Sequence, residues 1–390
     1  MDVASPVPDV SRELFDKRWM GNPMLSGVWR FKELVHPDLP NDAIVSRPEG
    51  NTPLFAAEPL ARWAGVGRLH LKHEGFNPTG SFKDRGMTVA ISQGHHVGAR
   101  AFVCASTGNT SAAVASYAAL CGKKAVILVP EAATALGKLS QALAYGATTV
   151  QVRGNFDDAM SLVQSAADQL GLYLLNSLNP FRIRGQKTIV LEALQQLCWD
   201  APDWLAFPAG NLGNTSAFGR ALHQAHALGL IDRVPRMLAI QATGASPFAA
   251  AYRRGFDRLE PMRPETVATA IRIGDPVSYH RAIGSIERTE GVVIDVDDAA
   301  ILEAKARVDA FGIGAEPASC ATVAGLRAAV QEGIVAPHET VVGVLTGHLL
   351  KDPDTTLKYH QGKLGGDQIN PPVTIDPTLD ALESVISDAH

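Results

Sequence analysis

The stretch Asn77-Pro78-Thr79-Gly80-Ser81-Phe82-Lys83-Asp84-Arg85-Gly86 reads as a loop running into a helix, with an amine at the junction. Pro78 and Gly80 end what precedes, and Ser81 is a candidate N-cap for the apolar-periodic residues Met87–Ile91. Lys83 then stands in the first helical turn. There the positive end of the helix dipole disfavours an ammonium and favours the neutral amine. A neutral, partly desolvated lysine is what condensation with a carbonyl cofactor requires. Taken alone, the simpler reading is a solvated lysine beside Asp84 and Arg85.

Other segments change that balance. Ser106-Thr107-Gly108-Asn109-Thr110 places short polar side chains and a glycine at a helix start, where backbone N–H groups can hold a carboxylate or another anion. Asn109 adds a neutral amide able to hold a cofactor oxygen. Pro208-Ala209-Gly210-Asn211-Leu212-Gly213-Asn214-Thr215 follows an apolar run; its glycines and asparagines allow left-handed backbone and converging N–H groups, which suits a phosphate. It is not G-x-G-x-x-G, and no G-x-x-x-x-G-K-[ST] occurs, so dinucleotide and P-loop chemistry are disfavoured. Leu345-Thr346-Gly347-His348 offers a hydroxyl, Thr346, at a strand end. Asn176-Ser177-Leu178-Asn179-Pro180-Phe181-Arg182 joins two small hydrogen-bonding side chains to an arginine fit to grip a phosphate or carboxylate. No H-E-x-x-H, G-x-S-x-G or carboxylate-rich metal motif competes, and no metal is expected. Amine, phosphate cradle, amide and hydroxyl together fit pyridoxal phosphate: imine formation by the lysine, then contacts to the phosphate, ring oxygen and ring nitrogen.

These segments need elements to position them. Leu69–Lys72, Ala101–Ala105, Ala125–Val129, Thr148–Val152, Trp204–Phe207, Met237–Gln241, Val292–Val296 and Thr340–Leu345 read as strands. Between them lie amphipathic runs, among them Thr110–Leu120, Leu136–Ala144, Phe156–Leu170, Gln186–Cys198, Thr215–Leu228 and Asp298–Phe311. That alternation predicts an α/β protein of parallel-rich sheets covered by helices. The chemical segments then fall at the C-terminal ends of strands, where open α/β sheets bind ligands.

Composition agrees with an enzyme of small molecules. The 390 residues allow more than one domain, and 46% hydrophobic with 19% charged residues is ordinary for a globular chain. A net charge of -5 gives no reason to expect nucleic acid or an anionic membrane as partner. Four dispersed cysteines suggest neither zinc nor a disulfide framework. The start shows no basic or apolar leader and no run reaches membrane-spanning length, so a cytoplasmic location is expected.

On these segments the chain resembles the threonine synthases, of the β-family (fold type II) of pyridoxal-phosphate enzymes. The resemblance runs from about Arg47 to Pro353 and also takes in Gly50-Asn51-Thr52-Pro53-Leu54, Glu316-Pro317-Ala318-Ser319 and Thr346–Pro353. It implies a tryptophan synthase β-like fold. Residues 46–87 and 183–365 would form a large cofactor domain and 88–182 a small mobile one, with an N-terminal arm (1–45) and a C-terminal tail (366–390). It implies that Lys83 forms the Schiff base and shuttles protons, that Asn109 bonds the ring 3'-oxygen, and that Thr346 meets the ring nitrogen. Gly210, Asn211, Leu212, Gly213 and Asn214 would hold the cofactor phosphate. Ser106, Thr107 and Thr110 would face the substrate carboxylate and reacting carbons, and Asn176, Ser177 and Arg182 its phosphate. The implied reaction takes O-phospho-L-homoserine and water to L-threonine and phosphate, in a homodimer. Cysteate synthase shares the cofactor residues, as would a silent pyridoxal-phosphate-binding protein; threonine or serine dehydratase needs no substrate-phosphate site. Arg184, Cys320 and His73 depart from the family pattern, Arg184 adding charge near the phosphate segment.

Overall fold

The computed structural model describes residues 10–22, 25–131, 136–154, 156–177 and 179–387. Leu178, inside the Asn176–Arg182 segment, and the first nine residues lie outside the described ones. The strands are β1 (Leu54–Ala56), β2 (Arg68–His73), β3 (Ala101–Ala105), β4 (Lys124–Pro130), β5 (Thr148–Val152), β6 (Tyr173–Leu174), β7 (Trp204–Pro208), β8 (Arg236–Ala242), β9 (Val292–Val296) and β10 (Thr340–Leu345). They form one sheet of order β1-β2-β10-β7-β8-β9 and a second of order β5-β4-β3-β6. Every pairing is parallel except β1 with β2.

The larger sheet is apolar on both faces, which is why β7 and β8 read as unbroken hydrophobic runs. Leu205, Phe207, Met237 and Ala239 face a layer containing Leu191, Phe218 and Leu222. The alternate residues Trp204, Ala206, Leu238 and Ile240 face Ala321, Leu326 and the rest of the helix Pro317–Gln331. The period of two thus splits each strand between two cores. The N-terminal segment joins the first core through Phe15, Trp29, Phe31, Leu34 and Val35, packed with Leu194 and Trp199. Residues 366–387 stay at the surface, and a helix over Leu379–Ser387, not expected from the sequence, exposes Leu379, Leu382 and Ile386.

Strand order matters most for the chemistry. β10 inserts between β2 and β7, although it comes last in the chain. The loops after β2, β10 and β7, which carry Lys83, Thr346 and Gly210–Asn214, therefore emerge side by side from one sheet edge. In the second sheet β3 pairs with β6, so the loop Ser106–Thr110 emerges beside Asn176-Ser177.

Candidate active site

Lys83 is the first residue of the helix Lys83–His96. The N-cap is Phe82, and Ser81 stands one position earlier than its residue type suggests. Its hydroxyl still accepts from the Lys83 N–H at 3.4 Å and its carbonyl from Asp84 N, so it serves the same unpaired donors from outside. The displacement has a cause: Phe82 N–H donates to the Thr346 carbonyl at 3.0 Å, and His348 N–H to the Gly80 carbonyl at 2.9 Å. These bonds stitch the lysine loop to the loop after β10. Glu316 N–H donates to the Gly347 carbonyl at 3.1 Å and brings a third loop to the same place.

Lys83 is not the solvated partner of Asp84 and Arg85. The Asp84 carboxylate accepts from the Thr79 N–H (2.7 Å) and hydroxyl (2.6 Å), and burial pushes its pKa up to about 7 against those bonds. Arg85 turns to Glu74 and Glu192. The half-buried Lys83 ammonium position lies 4.1 Å from the Phe82 ring centre. Burial, reinforced by the charge of Arg182 and opposed by Glu316, brings its pKa down to about 7. A large fraction of the amine is therefore neutral near neutral pH.

Arg182 reaches the site by a helix crossing. It lies in the helix Pro180–Gln186. A Cβ at Gly185 would stand 1.9 Å from the Arg85 carbonyl oxygen, and one at Gly86 2.9 Å from the Arg182 carbonyl oxygen. The two helices touch backbone to backbone. Lys83 and Arg182 each precede their contact glycine by one turn, so the crossing fixes the two cations near each other. Arg182 is 2% exposed, donates Nη1 to the Leu175 carbonyl at 3.3 Å, and leaves Nε without a partner among the described residues. With no carboxylate beside it among the described residues, burial lowers its pKa to about 10. A buried guanidinium in that state lacks an anion. Arg184, two positions on, points elsewhere: it stacks 5.2 Å over the Phe181 ring, with Arg220 and Asp38 as its charged neighbours.

The loop after β7 has the form of a phosphate cradle. Leu212 takes φ 62°, a left-handed conformation unusual for leucine, and is the N-cap of the helix Gly213–Ala227. The first N–H bonded back along the helix is that of Ser216, to the Leu212 carbonyl, which leaves the first-turn donors facing outward. A Cβ at Gly210 would meet the Ile271 Cα at 2.9 Å, so only glycine fits. The Thr215 hydroxyl, fully buried in that turn, has no partner among the described residues. Asn211 donates Nδ2 to the Ser177 hydroxyl at 3.1 Å and accepts from Val277 N–H at 3.0 Å, joining the cradle to the Asn176-Ser177 segment.

Asn109 is the first residue of the helix Asn109–Leu120. Ser106 Oγ accepts from Gly108 N–H at 3.2 Å, and Ser106, Thr107 and Thr110 are half-buried around that helix start. Asn176 is buried and its Nδ2 lies 3.7 Å from Met160 Sδ. Thr346 Oγ1 lies 2.9 Å from Ser319 Oγ, which also accepts from Gly347 N–H at 2.9 Å.

Several participants carried no mark in the sequence. Glu316 and Ser319 lay in a resembling segment without a role. Gln186 is buried between the crossing helices and the cradle: Cβ atoms at Gly86 and Gly213 would stand 3.2 and 3.3 Å from its Nε2 and Oε1. Glycines three residues after Lys83 and Arg182 were the available signal for the crossing. Of the departures, His73 is a buried structural residue with Nε2 at 2.9 Å from the Gly314 carbonyl, and Cys320 is buried in the core.

The donor set fits pyridoxal phosphate: a lysine with a lowered pKa, an N-terminal helix turn with an orphaned buried hydroxyl, an amide and a neutral hydroxyl converge from adjacent loops. Comparison with known proteins agrees. The profile of the pyridoxal-phosphate-dependent enzymes matches residues 45–347. The threonine synthase of Methanocaldococcus jannaschii is 43% identical over 381 residues, 97% of this chain and 90% of that protein. That of Mycobacterium bovis is 48% identical over 315 residues, 80% of this chain and 84% of that one. The crystal structure of Escherichia coli threonine synthase superposes with a TM-score of 0.71 at 22% identity, covering 98% of this chain and 92% of that one. Maize serine racemase shares the fold alone, with a TM-score of 0.68 at 22% identity. The chain belongs to the fold type II pyridoxal-phosphate-dependent enzymes and, within them, to the threonine synthases.

Proposed function

We propose that the chain converts O-phospho-L-homoserine and water to L-threonine and phosphate, by γ-elimination followed by β-addition. The observation that carries the substrate reading is the buried Arg182, without a carboxylate partner, beside the lowered amine of Lys83. Gly210–Asn214, Asn109 and Thr346 would hold pyridoxal phosphate, which when bound spreads the negative charge left on the substrate carbon. Lys83 then takes the Cα proton as a neutral base and later moves a proton at Cβ. Arg182, Asn176 and Ser177 grip the substrate phosphate and keep it after it leaves Cγ. The start of the Asn109 helix, with Ser106, Thr107 and Thr110, receives the carboxylate. Thr346, paired with the neutral Ser319, offers the ring nitrogen no counter-charge, which limits charge withdrawal and leaves proton handling to Lys83. Closure of residues 88–182 over the remainder would exclude water from the amine until it is needed. A cytoplasmic homodimer accompanies this reading; among the described residues no helix is long and apolar enough to cross a membrane.

Phosphate release is to be compared on O-phosphohomoserine, O-phosphoserine and buffer alone. Release from the first, abolished together with the visible absorbance in Lys83→Ala, is expected. Activity on O-phosphoserine alone would move the assignment to cysteate synthase, and near-parental turnover by Lys83→Ala would remove the lysine from the chemistry. Arg182→Leu should raise KM for O-phosphohomoserine by about tenfold or more, the scale of a charge-assisted hydrogen bond.

A further inference from the structure

Glu316 is the N-cap residue of the helix Pro317–Gln331, yet its carboxylate makes no capping bond. The side chain turns away from its own helix into the site. It is 4% exposed and accepts from Asn109 Nδ2 at 3.3 Å (Oε1) and 3.2 Å (Oε2). A Cβ at Gly347 would stand 2.5 Å from Oε1, so the glycine opens the slot in which the carboxylate lies. Its other charged neighbours are Lys351, Asp352 and Lys83. A carboxylate placed at a helix start normally satisfies the free N–H groups there. Here that stabilisation is forgone for one amide on the other sheet's helix.

The direction of the contact has a consequence for Asn109. An ionised carboxylate only accepts, so it must face the nitrogen end of the amide. With one Nδ2 hydrogen held by Glu316, the amide cannot rotate by half a turn, and the second hydrogen stays free to donate. An acceptor oxygen on a bound ring then always meets N–H and never the Asn109 carbonyl oxygen. We propose that Glu316 is a positioning residue that locks the Asn109 amide with its donor toward the cofactor's ring oxygen. The inference rests on the cofactor assignment above and is independent of which substrate is used.

Glu316→Gln keeps volume and packing but can either donate or accept, which frees the amide to flip. The measurement is the affinity of cofactor-free protein for pyridoxal phosphate, read by fluorescence quenching without substrate, in the parent, Glu316→Gln, Asn109→Ala and the double variant. Glu316→Gln should weaken binding by about tenfold, the scale of one charge-assisted hydrogen bond. In the Asn109→Ala background the same change should cost no more than about twofold, because its effect runs through the amide. A loss below about threefold in the single variant, or an equal loss in both backgrounds, overturns the proposal. Should Glu316→Gln fail to fold, Glu316→Asp, whose shorter side chain withdraws the acceptor, is read in the same cycle. Failure to release phosphate from O-phosphohomoserine would count against the reaction and leave this test intact.

Discussion

Lys83 is held in a state that costs the folded protein something. Its pKa falls from 10.5 to about 7, burial being the main cause and Arg182 the second. Between those values the unfolded chain binds a proton that the folded one does not, so the protein gains stability as pH rises through that window. Below about pH 7 both states are charged and the full penalty of a buried ammonium is present. Lys83→Met, tested without cofactor, should therefore raise the melting temperature most at acidic pH, with the gain shrinking toward pH 10. A gain that does not change with pH would mean that the amine is not the strained group. Sequence alone placed this lysine in a first helical turn, because helix-start chemistry is local. It could not show that Arg182 supplies part of the shift, since that depends on a contact between residues far apart in the chain. Glu316 stayed silent for the same reason: at an N-cap a glutamate has an ordinary use, and only the three-dimensional neighbour shows that it is not put to that use.

At the level of elements, Lys83 and Arg182 are brought near each other by one helix crossing. Gly86 and Gly185 let the two helices meet at backbone distance, and Gln186 continues the contact to the cradle. Gly185→Ala must push the helices apart, because the new methyl would lie 1.9 Å from the Arg85 carbonyl oxygen. The expected cost is about 1–3 kcal/mol of stability, as for other overpacked contacts. Turnover should fall by more than that loss implies, since a shift of about 1 Å in a reacting group can cost a hundredfold. Urea unfolding alongside kcat at a permissive temperature separates the two effects; unchanged kcat with reduced stability would make the crossing structural only. Most strands and helices around it were legible from periodicity, β3 and β10 to the residue. The order in which strands pair was not, because a parallel strand carries no record of its neighbours in its own pattern. Placing β10 between β2 and β7 is what turns separate loops into one site.

Across the whole molecule, the helix that carries Lys83 rests on a buried set of charges. Glu192 meets Lys72 at 2.6 Å, Arg85 at 2.7 Å and Arg30 at 2.9 Å, and Arg85 also meets Glu74 at 2.6 Å, all with side chains buried. Burial alone would raise the Glu192 carboxyl, but Arg85, Lys72 and Arg30 hold it well below the ordinary carboxylate range. Arg30 comes from the N-terminal segment, so the network ties that segment to the Lys83 helix through the Glu192 helix. Its three cations face two carboxylates; burial brings the Lys72 pKa down to about 8 and lowers that of Arg30, whose Nε has no partner among the described residues. Removing Glu192 and removing Arg30 should then differ in a defined way. Glu192→Gln leaves three cations around Glu74 and should cost about 3–5 kcal/mol, the range for a broken buried pair. Arg30→Met keeps most of the stem volume and leaves two cations with two carboxylates, so it should cost clearly less. The Glu192→Gln penalty should hold from about pH 8 to about 5 and shrink below about 4, where the unfolded glutamate begins to protonate while the folded one does not. Equal costs for the two substitutions would show that Arg30 is needed as a charge and not only as an anchor, and would make the N-terminal segment part of the electrostatic support of the Lys83 helix.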